Sequence, residues 1–191
     1  MSCTSLASKV ANACLSGVWK LRDPVELKQT IAQNLCGAVI GTPWFTNFSF
    51  ISASNRNDFT GSIGARFTVG ASPLRVTALG CYVIPGGTRV HTLRLHTFDC
   101  VSLLASATID FTGKSGLNYI PVTPVTLSAG VEYKISVDVV INEDFFTEAN
   151  GTTFTTSGTV ANSSVFGPAV PCPNGDTAFT DYCGATFRYT L

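Results

Sequence analysis

From Val131 to Val139 the chain places Val131, Tyr133, Ile135, Val137 and Val139 at every second position, with Glu132, Lys134, Ser136 and Asp138 between them. Successive side chains on a strand point to opposite faces, so this period of two describes a strand with one face in a core and the other in water. Such a strand must bury its apolar face against other elements, and the chain supplies them. From Ala38 onward Val, Ile, Thr, Phe and Tyr dominate between Gly, Pro, Asn and Ser punctuation. Strand runs are read at 65–69, 74–84, 88–98, 102–111, 117–122, 131–141, 152–160 and 184–191. About eight short strands predict an all-β protein, an antiparallel β-sandwich of jelly-roll-like form. Pro85-Gly86-Gly87 reads as a hairpin turn and Ser128-Ala129-Gly130 as another turn. The Ser- and Thr-dense stretch from Thr147 to Ser164 reads as a long exposed hairpin or loop. The strand ending at Leu191 is expected to pair within the sheet or with a neighbouring subunit.

The first forty residues carry a different pattern. Leu6, Val10, Cys14 and Leu15 recur at helical spacing. In "RDPVELKQTIAQNLCG", Asp23 can cap, Pro24 suits the first helical position, Glu26 completes a capping box and Gly37 supplies a stop. Leu27, Ile31 and Leu35 then share one stripe of an amphipathic helix from about Pro24 to Cys36. Residues 1–40 are therefore expected to form a short helical docking segment, and residues 41–191 the sandwich domain.

Charge narrows the partners. Lys plus Arg and Asp plus Glu each number 12, so no long-range field draws the chain to nucleic acid or an anionic membrane. No run of about 18 apolar residues predicts a membrane span. "MSCTSLASKVANACLSGVWK" has no basic region followed by an apolar one, so no secretory signal is expected. Charged residues make up 13% of the chain, about half the usual share, which leaves a surface to be covered by Ser, Thr, Asn and Gly or by a partner. Seven cysteines occur without a C-x-x-C spacing, which gives neither a zinc knuckle nor a redox motif. They are expected to be mostly buried thiols, Cys172 and Cys183 being the one pair that a fold-back at Asn174-Gly175 could join.

The run from Ile63 to Val140 carries Phe67-Thr68, then Val76 to Tyr82, His91 to Leu95, Leu104 to Thr108, Pro124-Val125 and Ala129 to Tyr133. In that order these motifs resemble an uncharacterised β-sandwich module of bacterial extracellular and surface proteins. The resemblance implies a jelly-roll-like sandwich of the kind used for carbohydrate binding or adhesion, and it brings no reaction with it.

Residues that could carry chemistry are sparse. His91 and His96, the two histidines, lie five apart on one strand run and so on opposite faces, unable to converge on one metal. A Cys100–His96 nucleophile pair would need a closeness that no motif predicts. Asp110, Glu132, Asp138, Glu143, Asp144 and Glu148 could serve glycoside hydrolysis only if two faced each other across a cleft, and most fall at wet strand or loop positions. The 143–148 acidic loop within "INEDFFTEANG" offers oxygen ligands suited to calcium, or else is a polar loop whose Phe145 and Phe146 tuck inward. Asn47, Asn150 and Asn162 head glycosylation-type triplets of the sort expected by chance in such a composition.

The expectation is thus a non-enzymatic structural protein without cofactor, most like a multimeric virion-type subunit such as a phage decoration or fibre-base component. Its partners would be copies of itself or other subunits, and it would be made in the cytoplasm. Trp19, Leu27, Ile31, Leu35 and Trp44 are the expected interface residues. The alternative is a carbohydrate-binding or adhesion module at the cell surface, with Tyr82, Tyr119 and Phe146 as aromatic platforms.

Overall fold

A computed structural model describes residues 41–47, 56–144, 146–148, 153–154, 158–168, 172–177 and 182–191. The chain divides into units Met1–Ile40 and Gly41–Leu191, and every described residue belongs to the second. The expected N-terminal helices, with Trp19, Leu27, Ile31 and Leu35, lie outside the described residues.

With strands numbered in chain order, one sheet has six strands. They run β12 (Gly175–Thr177), β11 (Val160–Gly167), β3 (Gly61–Thr68), β8 (Glu132–Val139), β5 (Val90–Thr97) and β6 (Leu103–Asp110). The other has four, in the order β1 (Thr42–Pro43), β14 (Ala185–Thr190), β4 (Leu74–Val83) and β7 (Gly116–Leu127). Two short ladders pair β2 (Phe45–Asn47) with β10 (Thr153–Phe154), and β9 (Thr147–Glu148) with β13 (Tyr182–Cys183). Every pairing is antiparallel, and the described fold is all-β and sandwich-like.

One core joins both sheets. Ile63, Ala65 and Phe67 of β3, Leu93 and Leu95 of β5, and Tyr133, Ile135, Val137 and Val139 of β8 come from the larger sheet. Leu74, Val76, Leu79, Cys81 and Val83 of β4 and Ala185, Phe187 and Tyr189 of β14 come from the smaller one. The parity of β4 changes between Val76 and Leu79 because its ladders to β7 and β14 shift register there. A bulge adds one residue and turns the following side chains to the other face. Phe67 and Phe187 meet across the sheets at 5.2 Å, and Trp44 stacks on Phe187 at 4.8 Å with an interplanar angle of 12°. Each such buried side chain contributes about 1.5–3 kcal/mol relative to exposure.

Four sequence readings are corrected. Pro85-Gly86-Gly87 is not a hairpin turn: β4 and β5 belong to different sheets, so the turn carries the chain from one layer to the other. Gly87 lies against Phe111, whose Cβ would be 3.0 Å from an added methyl, so the crossing is tight. Residues 160–164, read as part of an exposed loop, begin β11, an interior strand between β3 and β12. Its Ser163 and Ser164 are buried despite their polarity, which is why the composition reads as loop. Lys134, read as a wet-face residue, is buried. Finally, Cys172 is bonded to Cys100, 72 residues away, and not to Cys183. The strand ending at Thr190 pairs within its sheet, between β1 and β4, so the first of the two expected partners holds.

Candidate functional site

The outer face of the six-stranded sheet concentrates the polar side chains. Ser62, Gly64, Arg66 and Thr68 stand opposite Asp138, Ser136, Lys134 and Glu132. Arg66 bridges Glu132 at 3.1 Å and Asp176 at 2.7 Å, while Arg94 pairs with Asp138, which also accepts from the Ser62 hydroxyl at 2.8 Å. A clasp covers part of this face. After β5 the chain folds tightly, with Cys100 N donating to Thr97 O at 3.0 Å and Asp99 Oδ1 accepting from Val101 N at 3.1 Å. Cys100 takes a left-handed φ of 63° there, and its sulfur joins Cys172 across a Cα separation of 5.7 Å. Lys134 Nζ donates to Pro173 O at 3.1 Å and lies 3.6 Å from Cys100 Sγ. Phe98 completes the cover: the Lys134 ammonium and the Arg66 guanidinium stand 5.1 and 4.9 Å from its ring centroid. Burial holds the Lys134 ammonium below the usual lysine pKa.

His96 stands opposite Lys134 on this outer face and is buried. Burial, followed by the charges of Arg94 and Lys134, lowers its pKa, so the ring stays neutral near pH 7. His91 points the other way, in line with Leu93 and Leu95, as the five-residue spacing requires. Its Nδ1 lies 2.9 Å from Asp138 O and its Nε2 3.1 Å from Asp144 Oδ1, with the ring against Phe111 at 4.0 Å. A carbonyl accepts only, so it is Nδ1 that donates to the Asp138 carbonyl. Both partners are buried, at 2% and 0% exposure, which makes the pair a structural tie rather than a solvent-reached acid or base. The neighbouring Cys81 thiol is buried too, and burial reinforced by the Asp144 charge pushes its pKa far up, which leaves it inert.

The candidate chemistry is therefore distributed, not convergent. Cys100 is held in a disulfide, so its sulfur is no nucleophile beside His96. Glu143 accepts from Arg89 Nη2 at 2.8 Å, Asp144 Oδ2 accepts from Val140 N at 2.7 Å, and Asp110 accepts from Thr112 N at 2.9 Å. Among the described residues no three His, Cys, Asp or Glu side chains gather to hold a metal ion. Phe146 does tuck inward, at 2% exposure, and with Phe59, Ile63, Phe166 and Arg56 lines an apolar recess of about 160 Å³. Tyr119 has Gly80 beneath it, where an added Cβ would lie 2.4 Å from Cδ1, and Arg188 stacked 4.6 Å from its centroid. With those contacts on its ring it is a poor sugar platform; Tyr82 is half-buried on the same strand as Gly80. Trp44 is wholly enclosed in this chain's own core, which leaves no face of it for a partner.

The open side of the sandwich is different. β6 closes the six-stranded sheet and β7 the four-stranded one. Between them runs a groove of about 510 Å³ lined by Leu103, Leu104, Ala105, Pro121, Val122 and Val125, among others. β6 reads Leu-Leu-Ala-Ser-Ala-Thr-Ile-Asp, with no charge and no Pro before Asp110. Leu103 is 53% exposed, and Val101 just before it 80%. Sequence reading found this strand but not its place at an edge, which an uncharged run does not signal. No family model matches the chain, and no curated protein matches it either.

Proposed function

We propose that this chain is a non-enzymatic structural subunit that assembles with other subunits, of the virion or particle-building type. The observation that carries the reading is the open side of the sandwich, where β6 and β7 flank a groove that mixes Leu103, Leu104, Val122 and Val125 with Ser106 and Thr123, and where no charged side chain stands from Leu103 to Ile109 or along β7. Free sheet edges are blunted by charge, Pro, bulges or a covering loop, because unpaired backbone groups invite another strand; here β7 holds Pro121 and Pro124 and β6 a bulge at Leu104, while charge is missing from Leu103 to Ile109 and from β7. The engagement of Asp138, Glu132, Glu143, Asp144 and Asp176 in ion pairs or hydrogen bonds and of Cys100 in a disulfide points the same way. The two-sheet fold is read as a jelly-roll-like sandwich, consistent with the resemblance of residues 63–140 to a bacterial surface module. The mass of the purified full chain by light scattering, with and without reductant, tests this. A discrete multimer at micromolar concentration is expected; a monomer at every concentration overturns it.

A second reading is a carbohydrate-binding or adhesion module working at a cell surface. It is favoured by the Cys100–Cys172 disulfide, since such bonds persist outside the reducing cytosol, at virion and cell surfaces alike. Selective binding on a glycan array by a monomeric protein would support it.

A further inference from the structure

The clasp over the outer face encloses a charge that has no counter-charge in contact with it. Lys134 is 8% exposed, and among the described residues its ammonium forms no ion pair with a carboxylate. Its partners are Pro173 O at 3.1 Å and Cys100 Sγ at 3.6 Å. Asp176 and Asp99 attract it from beyond contact, while Arg66 repels it. Both carboxylates are turned elsewhere, Asp176 to Arg66 at 2.7 Å and Asp99 to the Thr97 hydroxyl at 2.6 Å and Val101 N at 3.1 Å. His96, opposite Lys134, is neutral near pH 7 and adds no charge. A buried cation is best stabilised by an anion at contact distance, and the sulfur of Cys100 is the group at that distance able to become one.

We infer that the Cys100–Cys172 bond is a redox-operated latch, opened by a dithiol reductant, in which Lys134 receives the Cys100 thiolate and the Cys172–Pro173 strap then lifts from β8. Access favours attack at Cys100, half-buried on the turn after β5, over Cys172 at 2% exposure. The reductant's thiolate bonds to Cys100 Sγ, the S–S bond breaks, and its electron pair passes to Cys172 Sγ. The reductant's second thiol then displaces Cys100 and closes a cyclic disulfide, and Cys172 takes up the proton that this thiol gives up. The reductant is oxidised by two electrons, and Cys100 leaves as a thiolate beside the Lys134 ammonium. An adjacent cation favours the thiolate and makes it the better leaving group. Both ties of the strap to the clasp, the sulfur bridge and the Lys134–Pro173 hydrogen bond, are then released. Cys81, the free cysteine among the described residues, is buried with its thiol pKa pushed far up, so it does not enter the exchange. The latch does not depend on whether the chain assembles or binds sugar.

The test uses the full chain, dithiothreitol as the reductant, and peptide mass mapping to read each residue. Before reduction, linked Cys100 and Cys172 peptides are expected; any other linkage would overturn the latch. After reduction, the rate of Cys100 alkylation by iodoacetamide is followed against pH. Its midpoint should lie at roughly pH 7.5 or lower, against about 8.5 for an ordinary cysteine. Greater exposure alone would raise the rate without moving that midpoint, so an ordinary midpoint would overturn the pairing with Lys134. Lys134→Met should return the midpoint to the ordinary value, and a folded variant that keeps the low midpoint would equally overturn the pairing. Where that variant does not fold, the profile of the unaltered protein decides. Acetylation of Lys134 by an N-hydroxysuccinimide ester should rise about tenfold on reduction as the strap lifts, with the sheet signal in circular dichroism retained. Unchanged labelling would overturn the lifting of the strap. Loss of the sheet signal would make the bond a staple of the whole fold, against a latch.

Discussion

Removing the Cys100–Cys172 bond should lower stability by an amount that the topology sets. The bond closes a loop of 72 residues, from the turn after β5 to the segment before β12. In the chain-entropy description such a loop restricts the unfolded ensemble by about 4 kcal/mol at 25 °C. The folded state loses little else when both sulfurs become methyl hydrogens, except the closeness that keeps Pro173 over the Lys134 ammonium. For a chain of this size about 4 kcal/mol corresponds to a melting temperature roughly 8–16 °C lower. The measurement is calorimetric unfolding of Cys100→Ala/Cys172→Ala beside the wild type, with peptide mapping of the unreduced wild type to identify the linked cysteines. A variant that melts within about 2 °C of the wild type would refute the loop-closure reasoning. Peptides linking Cys172 to Cys183 would refute the connectivity itself.

Three further outcomes follow from the same geometry. Lys134→Asp should cost about 3 kcal/mol or more, because a carboxylate would face the Pro173 carbonyl in a buried site, whereas Lys134→Met should cost about 1–3 kcal/mol for the carbonyl left without its donor; chemical denaturation measures both. His96 has a folded-state pKa below its unfolded value, so the unfolded chain takes up a proton that the folded one refuses, and stability falls as pH drops below about 6.5. His96→Gln should flatten that part of a melting-temperature profile between pH 7 and 5, and an unchanged slope would exclude His96 as its source. Gly80→Ala should destabilise the protein by about 1–3 kcal/mol, since the added methyl would meet Tyr119 Cδ1 at 2.4 Å and Asn118 O at 2.7 Å; pairing it with Tyr119→Ala should recover part of the loss.

The period of two at 131–139 was enough to place Tyr133, Ile135, Val137 and Val139 in a core, although Val131, read on the same face, precedes the strand and is exposed, and the histidine spacing was enough to put His91 and His96 on opposite faces. Both are consequences of strand geometry alone, and no partner strand can alter them. Pairing is another matter. That β4 and β5 leave each other at Pro85-Gly86-Gly87, that β11 fills the place beside β3, and that β6 ends a sheet are choices among long-range neighbours. Composition carries no record of them, because the same strand reads alike whether its edge is paired or open.

The same division explains Lys134. Alternation predicts correctly that it faces away from Ile135, but whether the outward face is wet depends on what crosses it. Here Cys172 and Pro173, brought from far along the chain by a disulfide, cover it. The sequence by itself determined which residues form strands and which side chains share a face, since these follow from backbone geometry between neighbours. Only the tertiary structure decided which faces are covered, which cysteines meet and which edge stays open, since these depend on contacts between segments tens of residues apart.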